Sequence, residues 1–381
     1  YGEIMQIARA AMGLGFIALT MTACISVGAE TDRSAPKVAC PDKLIPPYSG
    51  PLTIESKYDQ SDSSKSTLKE SRSAESERIY RQIQTFSKQL VGYSDRYVRS
   101  DNEAYSKVAL ACFDQSLSNW AEADALMSED ASKNGQAMRK WTLAAVASAA
   151  RKLTLLSDGQ YELSSKQELW LRRLASKVKS DYQPRLTANF KGINNHDYWA
   201  GWAVTVTGML LNDGGDRQWG YQAFDHAMGQ IESEQKGDLS VGWLPNEMGR
   251  RHLATEYTQY ALLPLVFLAV HADANDHPLT SAQRSKLMAL VNMATMMMIH
   301  PEKVRSLLSD DQKIPEGHKL AWLVPWLHAY PDNAVARELY DHFKGEVDGY
   351  SQAGGLIEAI YPVRSATSEP RPNKPSKVGV R

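Results

Sequence analysis

Amide, imidazole, guanidinium and phenol side chains recur at short spacings in one part of this sequence. Asn195 and His196 stand at the start of a predicted helix, and Arg250 and Tyr257 stand near the start of another. Arg250 and Tyr257 are two helical turns apart, so both side chains can lie on one side of a helix. Such groups suit a reaction that builds negative charge on a carboxylate. Removal of the proton beside the carboxyl group of a uronic acid is a reaction of this kind.

Each of these residues also has a simple structural interpretation. Asn194 or Asn195 can cap the following helix by accepting hydrogen bonds from free backbone N–H groups. Tyr257 can pack in an aromatic core. One cap does not explain two asparagines followed by a histidine, and arginines at a helix start oppose the macrodipole unless they bind anions or pair with acids such as Glu247. We therefore predict a functional role for the set.

Other kinds of site are disfavoured by the residues present. No set of histidines and acids has a metal-ligand spacing such as His-x-x-x-His, so we predict neither a metal nor another cofactor. The formal net charge of −1 provides no global field for a polyanion. This excludes a general nucleic-acid binder and requires a local cationic cleft for any acidic substrate.

The first 29 residues have the features of an export signal. A basic residue precedes a short apolar run, and Val27-Gly28-Ala29 fits the pattern of a cleavage site. The run is too short for a stable membrane span. We expect a signal peptide over 1–29 and a periplasmic protein. A form anchored by a lipid on Cys24 is the alternative.

If the chain is exported, the number of cysteines left after cleavage indicates whether they can pair. Cleavage leaves Cys40 and Cys112, an even number in an oxidising compartment, so we predict a disulfide between them. Two unpaired buried thiols are the alternative. The bridge would close a loop of roughly 70 residues, for which the chain-entropy model gives about 4 kcal/mol.

Apolar spacing predicts an all-α chain. Residues 30–75 show no sustained helical period and are expected to be irregular, and the Pro-, Ser- and basic-rich tail 364–381 is expected to be disordered. Residues 76–363 form the predicted catalytic domain, an α/α toroid of serial helical hairpins. Strand-like alternation is nearly absent, and no clear repeat period favours a solenoid. The predicted helices begin near residue 76 and continue as 105–127, 136–156, a segment around 171–178, 198–211, 219–233, 257–271, 282–300, 319–330 and 334–343.

Two further places could line a cleft. Lys57 and Tyr58 fall in an irregular polar segment, where they are either solvated or part of a mobile lid. Trp141 lies near the start of an Ala-rich helix, where it belongs either to the core or to a platform on which a sugar ring stacks.

In their order along the chain, these motifs resemble polysaccharide lyase family 5, the alginate lyases that act on poly(β-D-mannuronate) in the periplasm. The resemblance covers about 40–361 and implies an incomplete α/α toroid. It also agrees with a pair of cysteines at these places. The matching motifs are Ser56-Lys57-Tyr58, Met138-Arg139-Lys140-Trp141, Ile193-Asn194-Asn195-His196 with Tyr198-Trp199, Leu244-Pro245-Asn246-Glu247 with Arg250-Arg251, Tyr257, Tyr260-Ala261-Leu262 and Lys319-Leu320-Ala321-Trp322.

The resemblance implies roles for individual residues. Asp197, Glu256 and Thr258 depart from the family pattern, and the acid next to Tyr257 is expected to affect its pKa. The implied partner is alginate, an anionic polysaccharide, with the alginate export machinery as a further candidate, and the protein is expected to be a monomer. The implied catalytic residues are Asn195, His196, Arg250 and Tyr257, and the implied substrate-binding residues are Lys57, Tyr58, Trp141, Trp199 and Arg251.

The predicted reaction is β-elimination at a 1→4-linked mannuronate. Asn195 and Arg250 would stabilise the carboxylate beside C5. Tyr257 would remove the C5 proton and protonate O4, helped by Arg250, whose charge would lower the pKa of the phenol. His196 would either share the role of base or hold Tyr257 in place.

Three alternatives remain at this stage. A lyase for another uronate polymer would use the same chemistry. A glycoside hydrolase on the same architecture would need two carboxylates, for which Asp197, Glu247 and Glu256 are the nearby acids. A non-catalytic periplasmic protein would bind alginate without shortening it.

Overall fold

The computed structural model describes residues 38–187 and 189–365. The predicted signal peptide 1–29, Cys24 and all but the first two residues of the predicted tail 364–381 lie outside the described residues. The helices and strands are α1 Ala74–Arg99, α2 Glu103–Glu122, α3 Lys133–Leu156, α4 Ser165–Tyr182, α5 Asn195–Leu210, α6 Gly214–Gln230, β1 Glu232–Lys236, β2 Leu239–Trp243, α7 Pro245–Met248, α8 Ala254–Ala272, α9 Ser281–Ile299, α10 Pro301–Val304, α11 Leu323–Ala329 and α12 Ala334–His342.

The longer helices form serial hairpins around a ring of inner helices. Helices α1, α3, α5, α8 and α11 each pack against the next one in this order. Each also packs against the helix that follows it in its hairpin, namely α2, α4, α6, α9 and α12. Most residues of α3, α5 and α8 are buried, as expected of helices covered on all sides. The predicted α/α toroid is confirmed.

Side-chain caps determine where several helices begin. Ser73, Asn102 and Ser132 each accept a hydrogen bond from a backbone N–H in the first turn of α1, α2 and α3. These bonds satisfy N–H groups that have no partner inside the helix. Glycine allows the close approach of α5 and α6, because a Cβ on Gly220 would lie 2.4 Å from the carbonyl oxygen of Gly201.

A two-stranded hairpin replaces the end of one predicted helix. The helix predicted over 219–233 ends at Gln230, and β1 then pairs antiparallel with β2 in the register Lys236↔Leu239. The turn between them contains Gly237, whose φ of +58° favours glycine. Strand β2 packs against α9, and Val241 is buried there. The alternation of Leu239, Val241 and Trp243 is the sequence pattern that the helical prediction missed.

The segment before α1 is irregular, as predicted, and is tied to the outer side of the ring. Cys40 and Cys112 form the predicted disulfide, with their Cα atoms 4.6 Å apart, so the alternative of two free thiols is wrong. The indole Nε1 of Trp120 donates to the carbonyl of Ile45 at 3.0 Å. The backbone N–H of Leu52 donates to the carbonyl of Asp130 at 2.8 Å.

One stretch in the described part of the chain has the length and composition of a membrane span. It covers Arg251–Ala272, and 78% of its most apolar window is buried inside the molecule. Burial of this kind is typical of a core helix, which agrees with the position of α8 in the inner ring.

Candidate active site

The start of α5 is fixed by a reciprocal cap. Asn194 accepts from the backbone N–H of His196 at 3.0 Å, and Asp197 accepts from the backbone N–H of Asn194 at 2.9 Å. Asp197 is fully buried and also binds the guanidinium of Arg185 through two bonds of 2.6 and 2.7 Å. The capping predicted for Asn194 is therefore present, and it leaves the side chains of Asn195 and His196 for other contacts.

Asn195 is held by a buried acid from a distant part of the chain. Glu247 in α7 accepts from the backbone N–H of Asn195 at 2.6 Å and from its amide Nδ2 at 3.0 Å. Burial raises the pKa of Glu247 to about 7, although the bonds from Asn195 act in the opposite direction. The Oδ1 atom of Asn195 is buried and has no partner among the described residues.

His196 contacts a fully buried lysine. Its Nδ1 lies 2.7 Å from Nζ of Lys140 in α3, which also donates to the hydroxyl of Tyr182 at 2.9 Å. Burial holds the pKa of His196 well below its ordinary value, and the charge of Lys140 adds to this effect. The imidazole is therefore neutral over the range in which enzymes usually work.

Arg250 and Tyr257 lie together, as predicted, and Tyr58 joins them. The guanidinium carbon of Arg250 lies 3.8 Å from the ring centroid of Tyr257 and 4.9 Å from that of Tyr58. The hydroxyl of Tyr257 donates to the hydroxyl of Tyr58 at 2.8 Å. Arg250 Nη2 also donates to the carbonyl of Lys65 at 2.6 Å, so residues 55–69, which we name the lid segment, contact both residues.

Burial has a larger effect on the pKa of Tyr257 than the charge of Arg250 has. The cation of Arg250 favours the phenolate, as predicted, but burial and the bond to Tyr58 favour the phenol. The net result is a raised pKa for Tyr257, which corrects the expected lowering. Glu256 has no part in this, because its carboxylate turns to Lys319 and, at 3.0 Å, to Lys313.

The structure places the expected substrate-binding residues at different distances from this cluster. The ring of Trp141 is half-buried, with its centroid 5.6 Å from that of His196. Lys57 is exposed, and its Nζ lies 4.9 Å from the ring of Tyr58. Both remain candidates for contact with substrate.

One expected contact needs correction and another stays a prediction. Trp199 has no exposed surface and packs against Tyr260 with ring centroids 5.3 Å apart, so it supports the site and does not line it. Arg251 is exposed and pairs with Asp310 at 3.1 Å. A contact between Arg251 and substrate would compete with this ion pair.

The nearby acids are already engaged by other residues. Asp197 is bound by Arg185, Glu247 by Asn195, and the carboxylate of Glu256 by two lysines. The pair of available carboxylates that a glycoside hydrolase requires is thus not formed by these three acids. In the part of the chain that the structure describes, no group of three or more histidine, cysteine or acidic side chains is placed to hold a metal ion.

Sequence reasoning missed the contacts that support the site. Lys140 bonds to His196 across 56 residues and to Tyr182 across 42, and Glu247 holds Asn195 across 52. One sequence feature could have identified Lys140 as a buried residue. It lies in a helix that consists mainly of small and apolar residues. A lysine is rarely fully buried unless it has partners.

Comparison with known proteins gives this helical toroid a family. A family model described as Alginate lyase matches residues 53–304. The chain is 31% identical over 344 residues to an alginate lyase of Pseudomonas aeruginosa (strain LESB58), covering 85% of this chain and 89% of the relative. It is 31% identical over 315 residues to an alginate lyase of Azotobacter vinelandii, covering 80% of each. The chain therefore belongs to the alginate lyase family.

Solved structures agree on the fold. Alginate lyase A1-III from Sphingomonas species A1 superposes with a TM-score of 0.64 at 19% identity, covering 85% of this chain and 87% of that one. A histidine variant of alginate lyase A1-III complexed with a tetrasaccharide gives a TM-score of 0.66 at 20% identity, covering 89% of each chain. The fold is the incomplete α/α toroid that the resemblance implied.

Proposed function

We propose that this protein is an alginate lyase that cleaves the 1→4 bonds of polymannuronate by β-elimination and leaves an unsaturated uronate at the new non-reducing end. The observation that carries the proposal is the position of the Tyr257 phenol. It lies against the guanidinium of Arg250, with a hydroxyl bond to the lid segment. Family membership and the oligosaccharide bound to a structural relative support an alginate substrate.

Unused donors near Tyr257 suit the carboxylate of a uronate. Arg250 Nε is buried without a partner in the described part of the chain, and the same holds for the indole Nε1 of Trp141. Buried donors without a partner cost free energy, so they favour a ligand that accepts hydrogen bonds. Arg250 would bind the carboxylate beside C5, where it stabilises the charge that develops when the C5 proton leaves. Asn195 would join it through the second hydrogen of Nδ2, whose other hydrogen donates to Glu247.

One residue, Tyr257, can then make both proton transfers of the reaction. Elimination breaks the C5–H and C4–O4 bonds, forms a C4=C5 double bond and moves one proton from C5 to O4, without water or a cofactor. In mannuronate the C5 hydrogen and O4 lie on one face of the ring. Tyr257 as phenolate would take the proton from C5 and, as phenol, would give it to O4.

The phenolate has to form when substrate binds, because burial favours the phenol in the free protein. We expect the bound chain to take the place of the Tyr58 hydroxyl beside Tyr257. Of the neighbouring residues, Arg250 then has the largest effect on the pKa of Tyr257, and its positive charge lowers that pKa. Lys57 would bind a neighbouring uronate, and Trp141 would pack on a sugar ring.

The proposed location is the periplasm, after removal of a signal peptide. The bridge between Cys40 and Cys112 supports an oxidising compartment. Fractionation of cells that express the full chain, followed by sequencing of the mature N-terminus, tests this. A mature protein that begins near residue 30 supports export, and one that begins at Cys24 with a lipid supports the anchored form.

The reaction is tested by its product. Purified protein is mixed separately with polymannuronate and polyguluronate, and ultraviolet absorbance of the unsaturated sugar is followed with mass spectrometry of the products. We expect absorbance to rise with polymannuronate and much less with polyguluronate. Products that have gained the mass of water would indicate a hydrolase, and intact polymer with measurable binding would indicate a binding protein.

A further inference from the structure

The contact between Lys140 and His196 joins two ionisable groups in a dry part of the molecule. Lys140 has no exposed surface, and its Nζ meets Nδ1 of His196 at 2.7 Å and the hydroxyl of Tyr182 at 2.9 Å. Within the described chain, the other ring nitrogen of His196, Nε2, meets no hydrogen-bond partner. Nδ1 of the imidazole therefore has a hydrogen-bond partner in the folded chain, and Nε2 has none among the described residues.

Lys140, His196 and Tyr182 form a trio, and the charged groups around it come from several elements. Tyr182 and Asp181 lie at the end of α4, and Asp197 lies in the first turn of α5. Burial lowers the pKa of Lys140 well below its ordinary value, and the two aspartates oppose that effect.

The cations that face His196 act against a charge on the imidazole. They are Lys140, Arg185 and Arg250, and burial acts in the same direction. The imidazole therefore stays neutral and carries one proton, which has to be on Nδ1 or on Nε2.

The donors and acceptors of the trio determine which ring nitrogen of His196 carries the proton. A charged lysine has three donors and no acceptor, so Nδ1 of His196 has to accept from it. A neutral lysine has one lone pair, for which the Tyr182 O–H and a His196 Nδ1–H would compete. The phenol is the stronger acid and takes the lone pair, so Nδ1 accepts in this state too. In both states the imidazole proton is on Nε2.

We propose that Lys140 and Tyr182 are positioning residues that fix the proton of His196 on Nε2. The imidazole then presents an N–H donor to the cleft, where it can bind the carboxylate of a uronate, and Tyr257 alone moves the proton of the reaction. This inference about mechanism rests on the proposed lyase function, but the position of the proton is a property of the free protein and can be measured without substrate.

The first experiment measures that proton directly. The mature chain is labelled with ¹⁵N-histidine, and long-range ¹H–¹⁵N spectra are recorded between about pH 6 and pH 9, the range around the ordinary histidine pKa. The His196 signals are assigned by their loss in His196→Gln. We expect a neutral ring with a proton on Nε2 over the whole range. A proton on Nδ1, or a charged ring, overturns the proposal whether or not the protein is a lyase.

The second experiment removes the two positioning groups one at a time. In Lys140→Met we expect a neutral His196 with mixed tautomers, kcat on polymannuronate at least tenfold lower, and KM within about threefold, because Lys140 is fully buried and does not touch the substrate. In Tyr182→Phe we expect a smaller loss of kcat, with mixed tautomers where Lys140 is neutral. An unchanged tautomer and an unchanged kcat in both variants would contradict the positioning role.

The chain offers a matched control for the loss of a buried lysine. Lys152 lies in the same helix and is equally buried, but it pairs with Asp95 and with the carbonyl of Gly354. It is twelve residues further along α3, about 18 Å at the helical rise. In Lys152→Met we expect lower stability with the His196 tautomer and kcat of the wild type. If Lys140→Met does not fold, the spectrum of the wild type still decides, because a proton on Nδ1 overturns the proposal.

Discussion

At the scale of single residues, the site depends on side chains that are each held from two directions. Tyr257 lies between the cation of Arg250 and the hydroxyl of Tyr58, and Asn195 is bound by Glu247 at both its backbone and its amide. Together with burial, these contacts affect the pKa of Tyr257 and the pKa of Glu247, so they lead to predictions that the catalytic residues alone do not give.

The hydroxyl of Tyr58 is predicted to control the pH dependence of the reaction. It accepts from the phenol of Tyr257 and so raises the pKa of Tyr257. In Tyr58→Phe this bond is lost, the pKa of Tyr257 falls, and the alkaline rise in kcat/KM moves to lower pH. The measurement is kcat/KM on polymannuronate across the neutral and alkaline range.

Tyr48→Phe provides the control for Tyr58→Phe. The Tyr48 hydroxyl donates to the carbonyl of Pro51 at 2.7 Å, outside the site, so its loss is expected to leave the profile in place. A Tyr58→Phe profile that stays where it is, or moves to higher pH, would count against the role given to this bond.

Glu247 is predicted to make stability depend on pH. Its pKa in the folded state is about 7, against 4.5 for the ordinary group, so the folded state holds the proton more tightly than the unfolded state. The corresponding stability, about 3 kcal/mol, is fully present below the ordinary pKa and is lost as pH rises through about 7. Glu247→Gln, which stays neutral, is expected to remove this fall, measured by urea unfolding at several pH values.

The control for Glu247→Gln is the exposed acid Glu122 at the end of α2. Glu122→Gln is expected to keep the pH slope of the wild type. Equal slopes for Glu247→Gln and the wild type would mean that Glu247 does not hold a proton in the folded state.

At this scale, the sequence pointed to candidate site residues but not to the residues that hold them in place. Asn195, His196, Arg250 and Tyr257 stand out because polar groups cluster at predicted helix starts. The contact of His196 with Lys140 spans 56 residues and follows from the packing of α3 against α5. No local pattern encodes such a distance, and the burial that raises the pKa of Tyr257 also appears only in the folded molecule.

At the scale of elements, the lid segment connects an irregular region to the catalytic residues. The carboxylate of Asp62 accepts from the backbone N–H groups of Ser64, Ser66 and Thr67 at 2.9 Å each. These bonds fix the turn that presents the carbonyl of Lys65 to Arg250. From the residues alone, the sequence left a solvated segment or a mobile lid open here, and it did not reveal the carboxylate that orders the segment.

Asp62 is therefore predicted to set the shape of the lid segment. In Asp62→Ala, the hydrogen bonds from the backbone N–H groups to the carboxylate are lost and the loop loosens. We expect KM for polymannuronate to rise severalfold and a protease to cut within residues 59–67, with the unfolding temperature nearly unchanged. Steady-state kinetics and limited proteolysis measure these effects.

Asp238→Ala is the matched control, since Asp238 is exposed in the turn between β1 and β2. It is expected to leave KM and the cleavage pattern of the lid segment unchanged. If Asp62→Ala behaves in the same way as this control, the carboxylate does not order the lid.

At the scale of the whole molecule, a ring of helical hairpins brings distant motifs to one place. Residues of the lid segment, α3, α5, α7 and the start of α8 all contribute to the cluster. The toroid was predictable because the helical segments are long, follow one another through short turns, and show almost no strand-like alternation. The hairpin of β1 and β2 was missed because β1 is polar, and only the alternation of Leu239, Val241 and Trp243 in β2 marks a strand.

The disulfide is predicted to stabilise the whole fold without contributing to the chemistry. It joins residues 72 positions apart, for which loop closure gives about 4 kcal/mol. The double variant Cys40→Ser, Cys112→Ser is expected to lose about 3–4 kcal/mol of unfolding free energy in urea while keeping the wild-type kcat. Addition of reductant to the wild type should give the same loss, and equal stability with and without the bridge would contradict the prediction.

The most direct test of the account is the turnover of Tyr257→Phe on polymannuronate, followed by ultraviolet absorbance, with polymer binding measured by calorimetry. Tyr221→Phe is the control, because Tyr221 is also buried but donates to the carbonyl of His271 away from the cluster. We expect Tyr257→Phe to bind polymer nearly as well as the wild type and to lose at least about 10²–10⁴-fold in kcat, while Tyr221→Phe turns over normally. Turnover by Tyr257→Phe at the rate of the control would contradict the assignment of Tyr257 as the group that moves the proton.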